Sequence, residues 1–149
     1  MTESFPRQDF FEPKEVESIL SRLPGYLQDY VLFTWLSGWR KGSISSLTWE
    51  HVHKDEIRVP TSKNGESLVL SLTGDLLSLI RMRPSERVED CPYVFHRCGA
   101  FIRDFRKAWY KATKKAGGPW RVFHALRRSS ARDRIRAGVH ERVVMSVNG

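Results

Sequence analysis

The sequence lacks long hydrophobic runs and is poor in cysteine. No apolar stretch reaches the roughly 20 residues of a membrane-spanning helix, and the N-terminus has no hydrophobic signal region. A cytoplasmic location is therefore the default expectation. The two cysteines, Cys91 and Cys98, flank His96. A metal centre would need more ligands in a tight cluster, so free thiols are the favoured interpretation and no metal is predicted.

Acidic residues are scarce in the second part of the chain. Residues 97–142 contain 14 of the 25 Lys+Arg and only three acidic residues, a net charge of +11, whereas the first 96 residues have a net charge of −3. Aromatic residues are interleaved with these charges, which indicates a folded segment instead of a tail. The pattern favours a nucleic acid partner over a solvated basic face that has no partner.

The remaining composition indicates one globular domain that is mostly helical. The 149 residues include five Trp and eight Phe, and 40% are hydrophobic, which is enough for a core. Alternating apolar residues from His53 to Leu72 around Asn64-Gly65 predict a β-hairpin, followed later by a loop over residues 83–91. The expected fold class is mainly α with a small antiparallel β-sheet (α+β). Helical spacing predicts helices over Lys14–Leu23, Tyr26–Leu36, Lys41–Trp49, Thr73–Met82, Phe101–Ala116 and His124–Ala137, with another beginning at Val139.

Four side chains are candidates for chemistry. His124 and Arg127 are three residues apart and share a helix face, where an imidazole beside a guanidinium suits an anionic, proton-exchanging group. Arg40 follows the helix end at Ser37-Gly38, and Lys63 lies next to the predicted hairpin tip. Each alone could be an ordinary surface or turn residue, and His124 could be satisfied by the backbone. Their order and the basic surroundings favour a shared site.

Five short motifs carry a family resemblance over nearly the whole chain. They are Gly38-Trp-Arg-Lys-Gly, Ser46-Leu-Thr-Trp-Glu-His-Val, Pro60-Thr-Ser-Lys-Asn-Gly, Phe123-His-Ala-Leu-Arg-Arg, and Glu141-Arg-Val-Val-Met-Ser-Val-Asn-Gly. In this order they resemble the catalytic domain of the tyrosine recombinases, the phage-type integrases. The resemblance implies the DNA breaking-rejoining core fold.

The resemblance also implies a chemistry for the four candidates. A tyrosine would attack a DNA phosphodiester and form a 3′-phosphotyrosine link, with no metal or nucleotide cofactor. Arg40 and Arg127 would hold the non-bridging oxygens, Lys63 would protonate the 5′-oxygen leaving group, and His124 would assist proton transfer. The partner would be double-stranded DNA. Further DNA contacts are expected from Lys41, Asn64, Arg103, Arg106, Lys107, Arg121 and Arg128.

The sequence departs from the family pattern in several ways. Ser43 and Ala125 stand where acidic residues are usual, which is expected to loosen the arginines. The four tyrosines, at positions 26, 30, 93 and 110, all precede His124, so the nucleophile is missing from these residues. Residues 1–149 are expected to be one catalytic-core domain with a linker-like segment at 1–12, without the family's N-terminal DNA-binding domain. An apolar surface exposed by missing final helices is expected to pair with a second copy, through Val143, Val144, Met145 and Val147.

Three functions are compatible with these observations. The favoured one is the catalytic-domain portion of a DNA integrase or site-specific tyrosine recombinase, inactive by itself. The alternative is a non-catalytic, DNA-binding remnant of an integrase. A basic structural domain without a DNA role is least favoured, because it leaves the spacing of His124 and Arg127 and the hairpin lysine as coincidences.

Overall fold

Helices dominate the structure, and one hairpin supplies the only strands among the residues described. A computed structural model describes residues 11–60, 67–117 and 123–136. This architecture confirms the predicted class, mainly α with a small antiparallel sheet. The helices are α1 (Pro13–Leu20), α2 (Gly25–Ser37), α3 (Lys41–Ser45), α4 (Gly74–Met82), α5 (Arg106–Lys115) and α6 (Ala125–Arg136), and the strands are β1 (Glu56–Pro60) and β2 (Ser67–Ser71).

Helix α2 lies at the centre of the core. Its sequence is apolar on almost every side, and a helix of that kind must be covered all round. It contacts α1, α3, α4 and α6, and its Leu27, Tyr30 and Phe33 are fully buried. Gly38 ends the helix in the left-handed conformation, at φ 74°, which glycine adopts without steric cost.

The predicted β-hairpin is confirmed in its strands. β1 pairs antiparallel with β2, and Ile57 lies opposite Leu70. Both side chains are buried, so this pair anchors one face of the hairpin to the core. The connecting residues, including Lys63 and the Asn64-Gly65 turn, lie outside the described residues.

The helix predicted over Lys41–Trp49 is wrong in its second half, because α3 ends at Ser45. Leu47 instead accepts a hydrogen bond from the Val94 amide at 3.0 Å, and the Trp49 amide donates to Pro92 at 3.1 Å. Pairing with a segment more than 40 residues away therefore replaces the next helical turn. A short 3₁₀ helix, Trp49–His51, follows.

The helix predicted over Phe101–Ala116 begins five residues late, at Arg106. The Asp104 carboxylate accepts a hydrogen bond from the Arg106 amide at 3.0 Å, which starts the helix there. Phe105 immediately precedes α5, and its buried ring packs edge-on against Tyr30. The residues just before α5 therefore contribute to the core without being helical.

The loop predicted over residues 83–91 begins with a 3₁₀ helix, Arg83–Glu86. Arg83 is buried, and its Nε and Nη2 both donate to the Val94 carbonyl, at 3.0 and 2.8 Å. Its Nη1 lies 3.0 Å from the Asp29 carboxylate. Arg83 therefore ties this turn to α2 and has a structural role.

The N-terminal segment reaches the core at Phe11, a residue that the sequence placed in a linker-like stretch. The Phe11 side chain is buried and packs edge-on against Trp109, with ring centroids 5.9 Å apart.

No helix in the described part of the chain is both long and apolar enough to cross a membrane.

Candidate active site

A pocket of about 730 Å³ lies among α3, α5 and the start of α6. It combines cationic side chains with an aromatic floor, and it brings together three of the four candidate residues. Lys63, the fourth, lies outside the described residues. The lining residues are Arg40, Lys41, Gly42, Phe105, Arg106, Trp109, Phe123, His124 and Arg127.

Arg40 reaches the pocket because of the turn that ends α2. After Gly38, the Trp39 side chain is fully buried and packs edge-on against Phe33 at 5.8 Å. Arg40 follows as the residue that precedes α3, and it is exposed. The buried indole thus fixes the backbone from which the arginine projects.

His124 reaches the pocket from the turn just before α6, and Arg127 reaches it from the first turn of that helix. Phe123, just before them, packs edge-on against Phe105 at 5.1 Å and against Trp109 at 5.2 Å. The Arg127 Nε donates a hydrogen bond to the Gly38 carbonyl at 2.7 Å. This bond joins the two arginine-containing motifs across 89 residues of sequence.

Two consecutive serines anchor α6 to the rest of the core through hydrogen bonds. The Ser130 hydroxyl donates to the Trp35 carbonyl of α2. The Ser129 hydroxyl donates to the Ala125 carbonyl at 2.9 Å and accepts the Phe11 amide at 2.6 Å. Both serines are buried, so these bonds determine the position of the helix that carries Arg127.

The pocket is electrostatically positive, and its titrating groups respond to this. Burial lowers the pKa of His124 below its ordinary value, and the nearby charges of Arg127, Arg128 and Arg40 lower it further. Burial also lowers the pKa of Arg127, and the adjacent Arg40 adds to the effect. Arg127 stays charged, because guanidinium groups do not lose their proton in proteins. His124 is therefore a neutral imidazole at pH 7, between guanidinium groups that attract an anion.

Of the other predicted DNA contacts, Lys41 and Arg106 line the pocket. Lys41 lies over the Phe105 ring at 5.6 Å, and Arg103 lies over the Phe101 ring at 5.7 Å. Lys107 on α5 and Arg128 on α6 are exposed. Asn64 and Arg121 fall outside the described residues.

Arg106 differs from a free surface cation. Its guanidinium pairs with the Asp104 carboxylate through two nitrogens, with Nη2 at 2.8 Å from Oδ2 and Nε at 3.0 Å from Oδ1. The hydrogen bonds from Arg106 lower the pKa of the exposed Asp104 to about 2. An anion approaching this rim of the pocket therefore meets a cation that is already partly neutralised.

The sequence indicated only that the aromatic residues among the basic charges belong to a folded segment. Three of them, Phe105, Trp109 and Phe123, line the pocket. Their position next to a basic cluster was the available signal that they also border the site. The role of the Gly38 carbonyl could not be predicted from the sequence, because every residue has a backbone carbonyl and nothing in the side chains marks this one.

His96 is held by the backbone. Its Nε2 lies 2.8 Å from the Glu86 carbonyl, and its Nδ1 accepts the Gly99 amide at 2.9 Å. Cys91 is buried and Cys98 is exposed, and both are free thiols. In the part of the chain that the structure describes, no three His, Cys, Asp or Glu side chains cluster as metal ligands would.

None of the four tyrosines lines the pocket. Tyr30 packs against Phe105 of the pocket, but it is fully buried and its hydroxyl is hydrogen-bonded. Burial raises its pKa to about 12, which opposes formation of a nucleophilic phenolate. Tyr26 and Tyr93 are half-buried, and Tyr110 is exposed on α5.

The fold is that of tyrosine recombinase catalytic domains. A lambda integrase dimer bound to a COC′ core site matches 99% of this chain and 59% of its own, with a TM-score of 0.80 and 15% identity. XerA recombinase matches 99% of this chain and 56% of its own, with a TM-score of 0.80 and 18% identity. The lambda integrase catalytic core matches 94% of this chain and 90% of its own, with a TM-score of 0.78 and 15% identity.

The family follows from the sequence match. The model of the phage integrase family matches residues 9–149, so the chain belongs to that family. A comparison with curated protein sequences found no match. The chain spans 59% and 46% of the two longer lambda integrase chains bound to the COC′ site.

Proposed function

We propose that this chain is the catalytic-domain portion of a site-specific tyrosine recombinase and that its pocket binds a backbone phosphate of double-stranded DNA. The observation that carries the proposal is the convergence of Arg40, His124 and Arg127 in one basic pocket. Two guanidinium groups match the non-bridging oxygens of a phosphodiester, and a neutral imidazole between them can exchange a proton. Membership of the phage integrase family supports the same substrate class.

The remaining basic residues give the pocket a wider DNA-facing rim in this proposal. Lys41 and Arg106 line the pocket, and Lys107 and Arg128 are exposed on α5 and α6. Lys63, Asn64, Arg103 and Arg121 stay predicted DNA contacts, with Lys63 as the proton donor to the leaving oxygen. We also propose that copies of this chain assemble on DNA, since similar lambda integrase structures are a dimer on a core site and a tetramer on a Holliday junction.

The test is binding of a duplex oligonucleotide, measured by fluorescence anisotropy at low salt. Arg127→Ala is expected to weaken binding roughly tenfold or more, because one charged hydrogen-bonding group contributes about 1.5–3 kcal/mol. Arg81→Ala is the matched control, since Arg81 is an exposed arginine on α4 away from the pocket. Equal losses for the two variants would show that the pocket does not hold the phosphate.

A second candidate function is DNA binding without strand cleavage by these 149 residues. It is favoured by the position of the tyrosines, since Tyr30 is buried and hydrogen-bonded and the other three do not line the pocket. A nicked suicide duplex incubated with the chain is therefore expected to give no covalent adduct on a denaturing gel. A phosphotyrosyl adduct, mapped to any of the four tyrosines by mass spectrometry, would contradict this candidate.

A further inference from the structure

Tyr30 makes two hydrogen bonds beneath the pocket. It belongs to α2 and is fully buried. Its hydroxyl oxygen lies 3.0 Å from the Lys41 carbonyl oxygen and 2.8 Å from the Ser45 Oγ. The phenol therefore bridges α2 to both ends of the five-residue helix α3.

The direction of the two bonds follows from their chemistry. A carbonyl oxygen can only accept, so the Tyr30 hydroxyl donates its single proton to Lys41. The Ser45 hydroxyl then donates to the Tyr30 oxygen. Edge-on packing against Phe105 and Phe95, at 5.3 and 6.1 Å, holds the ring in place for both bonds.

Arg40 depends on this arrangement more than Arg127 does. The Arg127 guanidinium is fixed by its own hydrogen bond to the Gly38 carbonyl. Arg40 is exposed, and within the described residues its side chain has no hydrogen bond or ion pair. The point from which the Arg40 side chain extends is therefore set by its backbone alone, and Lys41 is the next residue along that backbone.

We propose that Tyr30 is a positioning residue for Arg40: its buried hydroxyl holds the first turn of α3 so that the Arg40 guanidinium meets the phosphate. This inference rests on the proposed function, in which Arg40 binds a DNA phosphate. A helix as short as α3 has little stability of its own, so an external brace determines where its first turn lies.

The test begins with Tyr30→Phe, which removes the hydroxyl and keeps the ring. Both hydrogen bonds of the phenol are lost, and the duplex affinity is expected to fall roughly three- to tenfold, the range for a buried hydrogen bond that acts on the site. Tyr93→Phe is the matched control, because Tyr93 is half-buried against Phe101 and its hydroxyl has no hydrogen bond among the described residues. It is expected to bind like the unaltered chain.

A double-mutant cycle distinguishes positioning from general destabilisation. If Tyr30 acts through Arg40, Tyr30→Phe has no further effect on affinity in an Arg40→Ala background. It keeps its full effect in an Arg127→Ala background. Two results would overturn the positioning role. One is a double variant Tyr30→Phe, Arg40→Ala whose loss of affinity equals the product of the two single losses, and the other is an unchanged affinity of Tyr30→Phe alone.

The same cycle separates failure of this inference from failure of the proposed function. If Arg40→Ala and Arg127→Ala both bind DNA normally, the pocket does not hold the phosphate and both proposals are wrong. If Tyr30→Phe does not fold, Ser45→Ala replaces it, since it removes only the serine's bond to the phenol. Its expected loss is roughly two- to threefold, and Arg40→Ala must abolish that loss for the inference to stand.

Discussion

At the scale of single residues, the pocket balances attraction for an anion against protonation of His124. The charges that would draw in a phosphate, on Arg40, Arg127 and Arg128, also lower the pKa of the imidazole, after the larger effect of its partial burial. The free pocket therefore contains a neutral histidine near pH 7. A bound phosphate would offset those positive charges and raise the pKa of His124 again.

This coupling predicts that phosphate binding takes up a proton. Because the pKa of His124 is higher in the bound state, DNA affinity is expected to rise as the pH falls from neutral towards the lowered pKa of the free protein. The gain is at most about tenfold for each pH unit, the limit for one proton. It levels off once the free protein is itself protonated. Affinity measured from neutral to mildly acidic pH at constant ionic strength checks this.

His124→Gln separates this effect from other titrations. The variant is expected to lose the added pH dependence, whereas His53→Gln, a change at an exposed histidine outside the pocket, keeps it. The free protein responds in the opposite sense: the unfolded chain, with the higher histidine pKa, binds more protons, so His124 lowers folding stability as the pH falls below about 6.5. Equal pH profiles for His124→Gln and the unaltered chain would contradict the assignment.

At the scale of elements, the sequence predicted those parts of the fold that depend on local pattern. Helical spacing over residues 26–36 predicted α2, and the alternation around residues 53–72 predicted the paired strands. Local pattern failed where distant partners decide the structure, as where Leu47 pairs with Val94 instead of continuing α3. The position of α6 also depends on distant residues, because Ser129 is hydrogen-bonded to Phe11 and Ser130 to Trp35, 118 and 95 residues away in sequence.

The contribution of Ser129 to the position of α6 can be tested with Ser129→Ala. The change removes the buried hydrogen bond that the Phe11 amide donates to Ser129, and such a bond contributes about 0.5–1.5 kcal/mol. The free energy of unfolding in urea is expected to fall by that amount. Ser46→Ala is the matched control: its hydroxyl also donates to a carbonyl four residues earlier, Gly42 at 2.7 Å, but the residue is exposed. A loss within about 0.5 kcal/mol is expected there, and comparable losses for both serines would refute the role of the Phe11 bond.

At the scale of the whole molecule, the charge is divided between two parts of the fold. Residues 97–142, which contain α5 and α6, have a net charge of +11, whereas the first 96 residues have a net charge of −3, and the whole chain therefore has a net charge of +8. The first part of the chain contributes α2, the hairpin and most of the core, together with Arg40. The second part contributes His124, Arg127 and most of the positive field. A polyanion is thus attracted to the part of the chain that contains α5 and α6, and this attraction weakens as salt screens it.

Asp104 is an acidic residue within this positive part of the chain, and its carboxylate pairs with Arg106 at the rim of the pocket. Asp104→Asn keeps an acceptor for the Arg106 amide but removes the negative charge, so Arg106 becomes available to a phosphate. Duplex affinity at low salt is expected to increase. The slope of log affinity against log salt, about 0.9 for each phosphate neutralised, is expected to steepen by about one, the contribution of one added contact. Arg106→Ala in the Asp104→Asn background must remove the gain. An unchanged slope for Asp104→Asn would mean that DNA does not reach Arg106 and that the bound duplex lies on the α6 side of the pocket.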